Sequence, residues 1–349
     1  MIKAAILYEL NKPLVIKTIK PSKLIEGQVL VKIFFSGVCR SQLMEVEGGR
    51  GDDPWLPHLL GHEATGEVIE IGKNVKKVKI GDKVILGWIK GEGIDAEGAK
   101  YLCGDQIINS GKVSTFSNFS VVSENRLTKL PESIPLDQGV LFGCALLTGA
   151  GMVYNELKPM ATDSVAVLGL GGIGLSAIIA LKDIGCKNII AIDVNDDKLS
   201  FAKELGANYF INPKNSDPLT EVKNNFKEGI DYCVESAGKI ETIELGFSLL
   251  NKTGKLIFAS HPPDGEFIKL SPHELISGKN IVGSWGGGCC PDKDIPAISL
   301  SCNRNNVPLD KLITKKYKLE EINDALNDLK KGNVFRPLIC MEHSKDDKF

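Results

Sequence analysis

No stretch of this chain approaches the about 18 consecutive apolar residues of a bilayer-spanning helix, so nothing in it is expected to cross a membrane. Neither sign of charge is in excess. Lys and Arg number 42 against 44 Asp and Glu, a net charge of −2 that gives no electrostatic basis for binding nucleic acid or an anionic membrane. A disulfide framework is missing as well. Nine cysteines, an odd number, are dispersed through 349 residues, which fits thiols kept reduced in the cytoplasm and used for packing or metal. The opening Met1–Glu9 places an acid too early for the apolar core of a signal peptide. Internal repeats and low-complexity segments are also lacking. What is present is ordinary globular material, 43% hydrophobic and 25% charged, at a length where two domains are the default.

The rhythm changes along the chain. Up to about residue 145, short apolar or alternating runs are punctuated by Gly, Pro and Asn, as strands are: 4–8, 29–35, 67–71, 83–88 and 119–123. From about residue 160 strands and helices alternate. Strands are expected at 164–168, 188–193, 209–211, 231–235, 255–259 and 280–282, and helices at 173–184 and 196–205 with further helical stretches later. That alternation predicts an α/β fold with a doubly wound parallel sheet. Beyond Gly288 come two helix candidates, 292–302 and 319–331, and a last strand at 337–341.

The turn Gly169-Leu170-Gly171-Gly172-Ile173-Gly174 follows an expected strand and opens an expected helix, the context a dinucleotide-binding turn requires. Gly169 permits the tight turn, Gly171 a close approach to a pyrophosphate, and Gly174 close packing of helix on strand. The helix N-terminus then presents unpaired N–H groups to phosphate. Asp193, at the end of the next strand, would accept from ribose hydroxyls and repel a 2′-phosphate, favouring NAD over NADP.

Cys39, His62 and Cys144 stand in glycine-punctuated settings: Gly37-Val38-Cys39-Arg40-Ser41, Gly61-His62-Glu63 and Gly143-Cys144-Ala145. Singly, each cysteine reads as well as a small buried hydrophobe, and the histidine as a satisfied structural one. Jointly, two thiolates and one imidazole would leave Zn2+ one open coordination position, the mark of a catalytic rather than a structural site.

These motifs, with the stretch from Gly61 through Gly81-Asp82-Lys83-Val84, Lys198, and Gly332 with Arg336, resemble the zinc-dependent alcohol dehydrogenases of the medium-chain dehydrogenase/reductase superfamily over essentially the whole chain. The resemblance implies a GroES-like, mostly β catalytic domain (1–148), an inserted Rossmann NAD-binding domain (149–287), and a C-terminal return to the catalytic domain (288–349), with the active site in the cleft between. It implies that Cys39, His62 and Cys144 hold one catalytic zinc, with Glu63 close behind, either outside the ligand set or as a transient fourth ligand. Ser41 would hydrogen-bond the substrate oxygen, Arg40 and Arg336 would hold the pyrophosphate, and Lys198 would contact the ribose. The implied activity is reversible oxidation of a primary or secondary alcohol to an aldehyde or ketone, with hydride passing to NAD. Homodimers or homotetramers, paired through the Asn280–Trp285 edge, follow by the same analogy.

The chain departs from that family in three ways. Residues 88–112 hold only Cys103 where many relatives carry a four-cysteine lobe, so no structural zinc is expected and a glycine-rich loop with a hairpin takes its place. Gln42 stands where an acid usually orients the ligating histidine. Met44 replaces the histidine that ends a proton relay. Trp88, His261 and Trp285 fall at positions that line the substrate pocket, or else pack in the core or lie in solvent. Cys289 and Cys290 complete no site. A polyol or sugar-alcohol dehydrogenase of the same superfamily is an alternative, although Cys144 stands where that branch usually has Glu. A zinc-free quinone or enoyl reductase lacks such a ligand set, and an NAD(H)-binding sensor would follow if Gln42 and Met44 abolish catalysis.

Overall fold

The computed structural model describes residues 2–343. The chain forms two compact units. The first comprises residues up to Cys144, Cys290–Ser299 and the chain from Pro308; the second is Ala145–Cys289 with Leu300–Val307.

The first unit is built on two sheets. One has strand order His58–Leu59, Ile2–Leu7, Val15–Pro21, Tyr101–Cys103, Gln106–Ile108. The other runs Leu127–Lys129, Lys83–Gly87, Glu63–Ile71, Gln28–Gly37, Arg336–Cys340, Ile313–Lys318, with Phe119–Ser123 also pairing with Gln28–Gly37. Val29, Val31 and Ile33 from one central strand and Ala64 and Val68 from the next are wholly buried in the core between the elements. The central pair is antiparallel, with Ser36 opposite Ala64 and Phe35 opposite Thr65. Four strands escape a reading of the sequence: the short His58–Leu59 and Leu127–Lys129, and the longer Val15–Pro21 and Ile313–Lys318. The longer two are lysine-rich and largely exposed, so they lack the apolar alternation that marks a half-buried strand. The short helix Arg40–Val46 is also unforeseen. The expected loop and hairpin at 88–112 are present, the hairpin formed by Tyr101–Cys103 and Gln106–Ile108.

The second unit carries a six-stranded, wholly parallel sheet in the order Tyr209–Ile211, Asn188–Ile192, Ser164–Leu168, Ile230–Glu235, Leu250–Phe258, Asn280–Gly283. That is the 3-2-1-4-5-6 order of a Rossmann fold. Every residue of Ser164–Leu168 is buried, as a strand covered on both faces requires. The helix Gly172–Ile184 ends at Gly185 in the left-handed conformation (φ 84°). Asn195 caps Asp196–Leu205, its side chain accepting from the N–H groups of Asp197 and Lys198. Several boundaries move from their expected places. The strand expected at 255–259 begins at Leu250, and Asp193 lies one residue past the end of its strand. The tail helix splits into a 3-10 turn, Leu319–Glu321, and a helix, Ile322–Lys331, and the last strand is Arg336–Cys340. Among the described residues no single helix is long and apolar enough to cross a membrane.

Candidate active site

Three separate segments of the first unit bring the ligand candidates together. Gln28–Gly37 and Glu63–Ile71 are paired neighbours, so Cys39, just beyond the first, and His62, just before the second, emerge at the same end of the pair. Gly61 makes the entry possible: it sits at φ 92°, and a side chain there would collide with Thr115 and Phe116. Cys144 arrives from a 3-10 turn, Val140–Gly143, whose last glycine packs directly on the Leu86 carbonyl and on Glu63. The ligand atoms of Cys39, His62 and Cys144 all lie within 4.8 Å of one another.

These atoms fit a zinc ion. His62 Nε2 is buried and has no hydrogen-bond partner, and two sulfurs converge on the same space. The sulfurs behave as a pair. A hydrogen bond from the Cys144 thiol, helped by the Arg336 charge, holds Cys39 well below the usual thiol range, and the same bond with burial pushes Cys144 well above it. One imidazole and two such sulfurs form a three-ligand set with the softness zinc prefers, leaving a fourth position for substrate. Among the described residues one other cluster, Glu45, Asp53 and His58, brings ligand atoms this close. There Asp53 Oδ2 already pairs with His58 Nε2 at 2.7 Å, and Oδ1 accepts from the Trp55 N–H.

Gln42 occupies the third position of the helix Arg40–Val46 and is almost wholly buried. Its Oε1 accepts the Cys39 N–H at 2.8 Å, half of a capping box, while its Nε2 faces His62 Nδ1. Ser41, in the same first turn, has a buried Oγ with no partner. Met44 is half-buried and Arg40 exposed.

Glu63 is fully buried behind the ligands, and burial pushes its carboxyl up to about 7 against the pull of Arg336. Arg336 Nη1 lies 3.0 Å from Glu63 Oε1 and donates to the Val38 carbonyl at 3.3 Å, while its Nε has no partner. The contact with Glu63 is an ion pair without hydrogen-bond alignment, since neither carboxylate oxygen gains a hydrogen bond. Arg336, expected at the pyrophosphate, is thus anchored among the ligand segments, a position no local pattern in the sequence discloses. Trp88 is half-buried, with its carbonyl accepting from Arg126.

In the second unit, Gly169 follows Leu168 at φ 83°, and a side chain there would strike Ala237. Gly171 has open space where a side chain would stand, as a backbone offered to a ligand should. Gly172 and Ile173 open the helix, and Gly174 packs against the Gly169 carbonyl. Asp193 does more than the sequence suggests. Its Oδ2 accepts the Leu170 N–H at 2.7 Å and its Oδ1 the Asn195 N–H, so it braces the glycine turn; Lys198 Nζ stands 4.0 Å away. His261 and Trp285 pack edge to face with ring centroids 6.4 Å apart, and Trp285 is 73% exposed. One residue escaped the sequence reading as a candidate. Thr148 Oγ1 is buried with no partner, and only its place in the Gly143–Gly149 motif hinted at it.

Comparison with known proteins agrees with this arrangement. Residues 25–132 match the alcohol dehydrogenase GroES-like domain, and residues 172–301 match the zinc-binding dehydrogenase domain. A benzyl alcohol dehydrogenase from Acinetobacter calcoaceticus is similar in structure, with 29% identity, TM-score 0.88, and coverage of 98% of this chain and 99% of that one. An alcohol dehydrogenase zinc-binding domain protein from Burkholderia ambifaria gives 28% identity and TM-score 0.88 over the same shares. A 2R,3R-butanediol dehydrogenase from Bacillus subtilis gives 26% and 0.77, covering 97% of this chain and 99% of that one. With two domain models matched in sequence order and a fold shared over nearly its full length, the chain belongs to the zinc-dependent alcohol dehydrogenase family of the medium-chain dehydrogenase/reductase superfamily.

Proposed function

We propose that this protein uses one zinc ion per chain and NAD to oxidise a primary or secondary alcohol reversibly to an aldehyde or ketone. The observation that carries the reading is the buried, unpartnered His62 Nε2 converging with Cys39 and Cys144 Sγ. Zn2+ held by these three side chains supplies the Lewis acidity that makes an alcohol hydroxyl acidic near neutral pH. NAD supplies the hydride acceptor.

The protein's own residues do the rest. Ser41 Oγ has no internal partner, so it is available to take the substrate hydroxyl proton and pass it on, as a group that donates and accepts at once. Met44, in the same helix, carries no proton, and water or another base completes the transfer. Glu63 keeps a carboxyl oxygen behind the ligands. In the second unit the glycine turn and the N-terminus of Gly172–Ile184 receive the pyrophosphate, with Arg40 as its proposed cationic partner. Asp193 and Lys198 hold the ribose, and the Asp193 carboxylate disfavours a 2′-phosphate.

Similarity to a benzyl alcohol dehydrogenase makes an aromatic primary alcohol the first substrate to try, with Trp88, His261 and Trp285 as proposed pocket residues. Similarity to a butanediol dehydrogenase keeps a polyol as the second reading, against which Cys144 argues as a thiol rather than a carboxylate third ligand. A homo-oligomer formed through the edge strand Asn280–Gly283 is part of the proposal, as is a cytoplasmic location, supported by nine free cysteines.

Metal analysis and a substrate panel test the whole. We expect about one zinc per chain, lost in Cys144→Ala, and NAD reduction with aromatic, simple or polyhydroxylated alcohols. A chain that takes up no zinc and reduces no NAD with any of them would overturn the reading.

A further inference from the structure

We infer that Gln42 is a positioning residue whose amide must turn over when metal enters, so that its one acceptor oxygen leaves the Cys39 N–H for the His62 imidazole. The inference rests on the zinc reading and adds to it a property of this chain's own side chain.

Two donors compete for that oxygen. Gln42 Oε1 now accepts the Cys39 N–H at 2.8 Å, and the amide NH2 faces His62 Nδ1. An NH2 group only donates, so Nδ1 accepts and a neutral ring carries its proton on Nε2, the nitrogen that points toward the two sulfurs. A ring that ligates through Nε2 has to move that proton to Nδ1, and a ligating histidine is held by an acceptor at its other nitrogen. Gln42 meets this need only by exchanging its two amide ends. Oε1 then accepts Nδ1–H, and the NH2 group is left against the Cys39 N–H, two donors face to face. Water offers little relief, because Gln42 is 1% exposed.

The conflict comes from the fold. Gln42 lies at the third position of its helix, where a side-chain acceptor reaches back to the N-cap N–H, and the N-cap is the ligand candidate Cys39. One amide therefore closes a capping box and orients a ligand, and because its two ends face the two groups its oxygen reaches only one of them at a time. A carboxylate of the same length could serve both, since each of its oxygens accepts.

The test compares zinc binding by the wild type, Gln42→Glu and Gln42→Met, each checked for cooperative melting. Dissociation constants come from competition with a chromophoric chelator. Release rates come from zinc-loaded protein mixed with excess chelator, which reads folded protein even where a zinc-free variant is unstable. Gln42→Glu should hold zinc roughly 10- to 100-fold more tightly and release it correspondingly more slowly, and Gln42→Met should hold it more weakly than wild type. Wild-type zinc binding with a Gln42→Glu affinity within about threefold of it would overturn this inference alone. A wild type that binds no zinc would overturn the metal reading and this inference with it.

Discussion

Arg336 Nη1 lies 3.0 Å from Glu63 Oε1, with both side chains buried, so a residue from the last strand compensates the carboxylate behind the ligand set. The register explains how. Leu338 pairs with Gly37, and the Val38 N–H donates to the Pro337 carbonyl, which draws the start of that strand alongside the ligand segment.

Removing one partner of this pair should cost far more than removing both. At about pH 9, where the Glu63 carboxyl, at about 7, is ionised beside its cation, Arg336→Met forces it to stay charged and uncompensated or to take up a proton against the pH, and a loss of roughly 3–5 kcal/mol is expected in urea unfolding of the metal-free protein. Arg336→Met combined with Glu63→Gln should recover a large part of it. A double variant as unstable as the sum of the singles would refute the pairing.

Ser41→Ala should lower kcat by roughly 10²- to 10⁴-fold while leaving zinc content and NAD affinity at wild-type levels. The affinity is read from quenching of protein fluorescence. Near-normal turnover would remove Ser41 from the proton path.

Asp193 has two tasks that two substitutions separate. Asp193→Asn keeps an oxygen for the Leu170 N–H but discards the charge and turns its NH2 toward the Asn195 N–H, so discrimination against NADP should fall about tenfold or more while the melting temperature falls less than in Asp193→Ala. Asp193→Ala also removes the brace, and NAD affinity should drop with it. If the wild type already used NADP as readily as NAD, the electrostatic argument would fail.

Glu124 holds the glycine-rich loop around Ile94. Its carboxylate accepts the backbone N–H groups of Lys76, Lys77 and Ile94 at 2.6–2.8 Å. Burial opposes ionisation, but these three donors outweigh it and hold the carboxyl below its ordinary value of 4.5. The folded value being the lower one, the stabilisation is complete above about pH 4.5 and is lost as the pH falls through the folded value. Glu124→Gln, which turns an NH2 toward one of those N–H groups, should cost roughly 1.5–3 kcal/mol at pH 7, with the gap to wild type narrowing in acid. An unchanged gap at low pH would contradict the assignment.

Much of this was legible in the residues. Ser164–Leu168 runs into its glycine turn within the expected bounds, and 209–211, 119–123 and 196–205 form as read, because each carries its own periodicity or cap. The helix Arg40–Val46 was not legible: seven residues ahead of the glycines at 48, 49 and 51 give too short a period to recognise. The result matters, since that helix fixes Gln42 against both Cys39 and His62. The burial of Arg336 was equally hidden, because an arginine in a strand reads as a surface charge until a distant carboxylate is brought to it.

The sequence by itself determined which residues have ligand chemistry, where the phosphate turn lies, and that strands and helices alternate after residue 160, since all of these are set by side-chain type and local spacing. Tertiary structure alone decided that Cys39, His62 and Cys144 share one small volume, that Glu63 has Arg336 as its counter-ion, and that one Gln42 amide stands between the Cys39 N–H and the His62 imidazole. Those outcomes depend on strand register, which joins segments far apart in the chain and flips every side chain to the other face if it slips by a single residue.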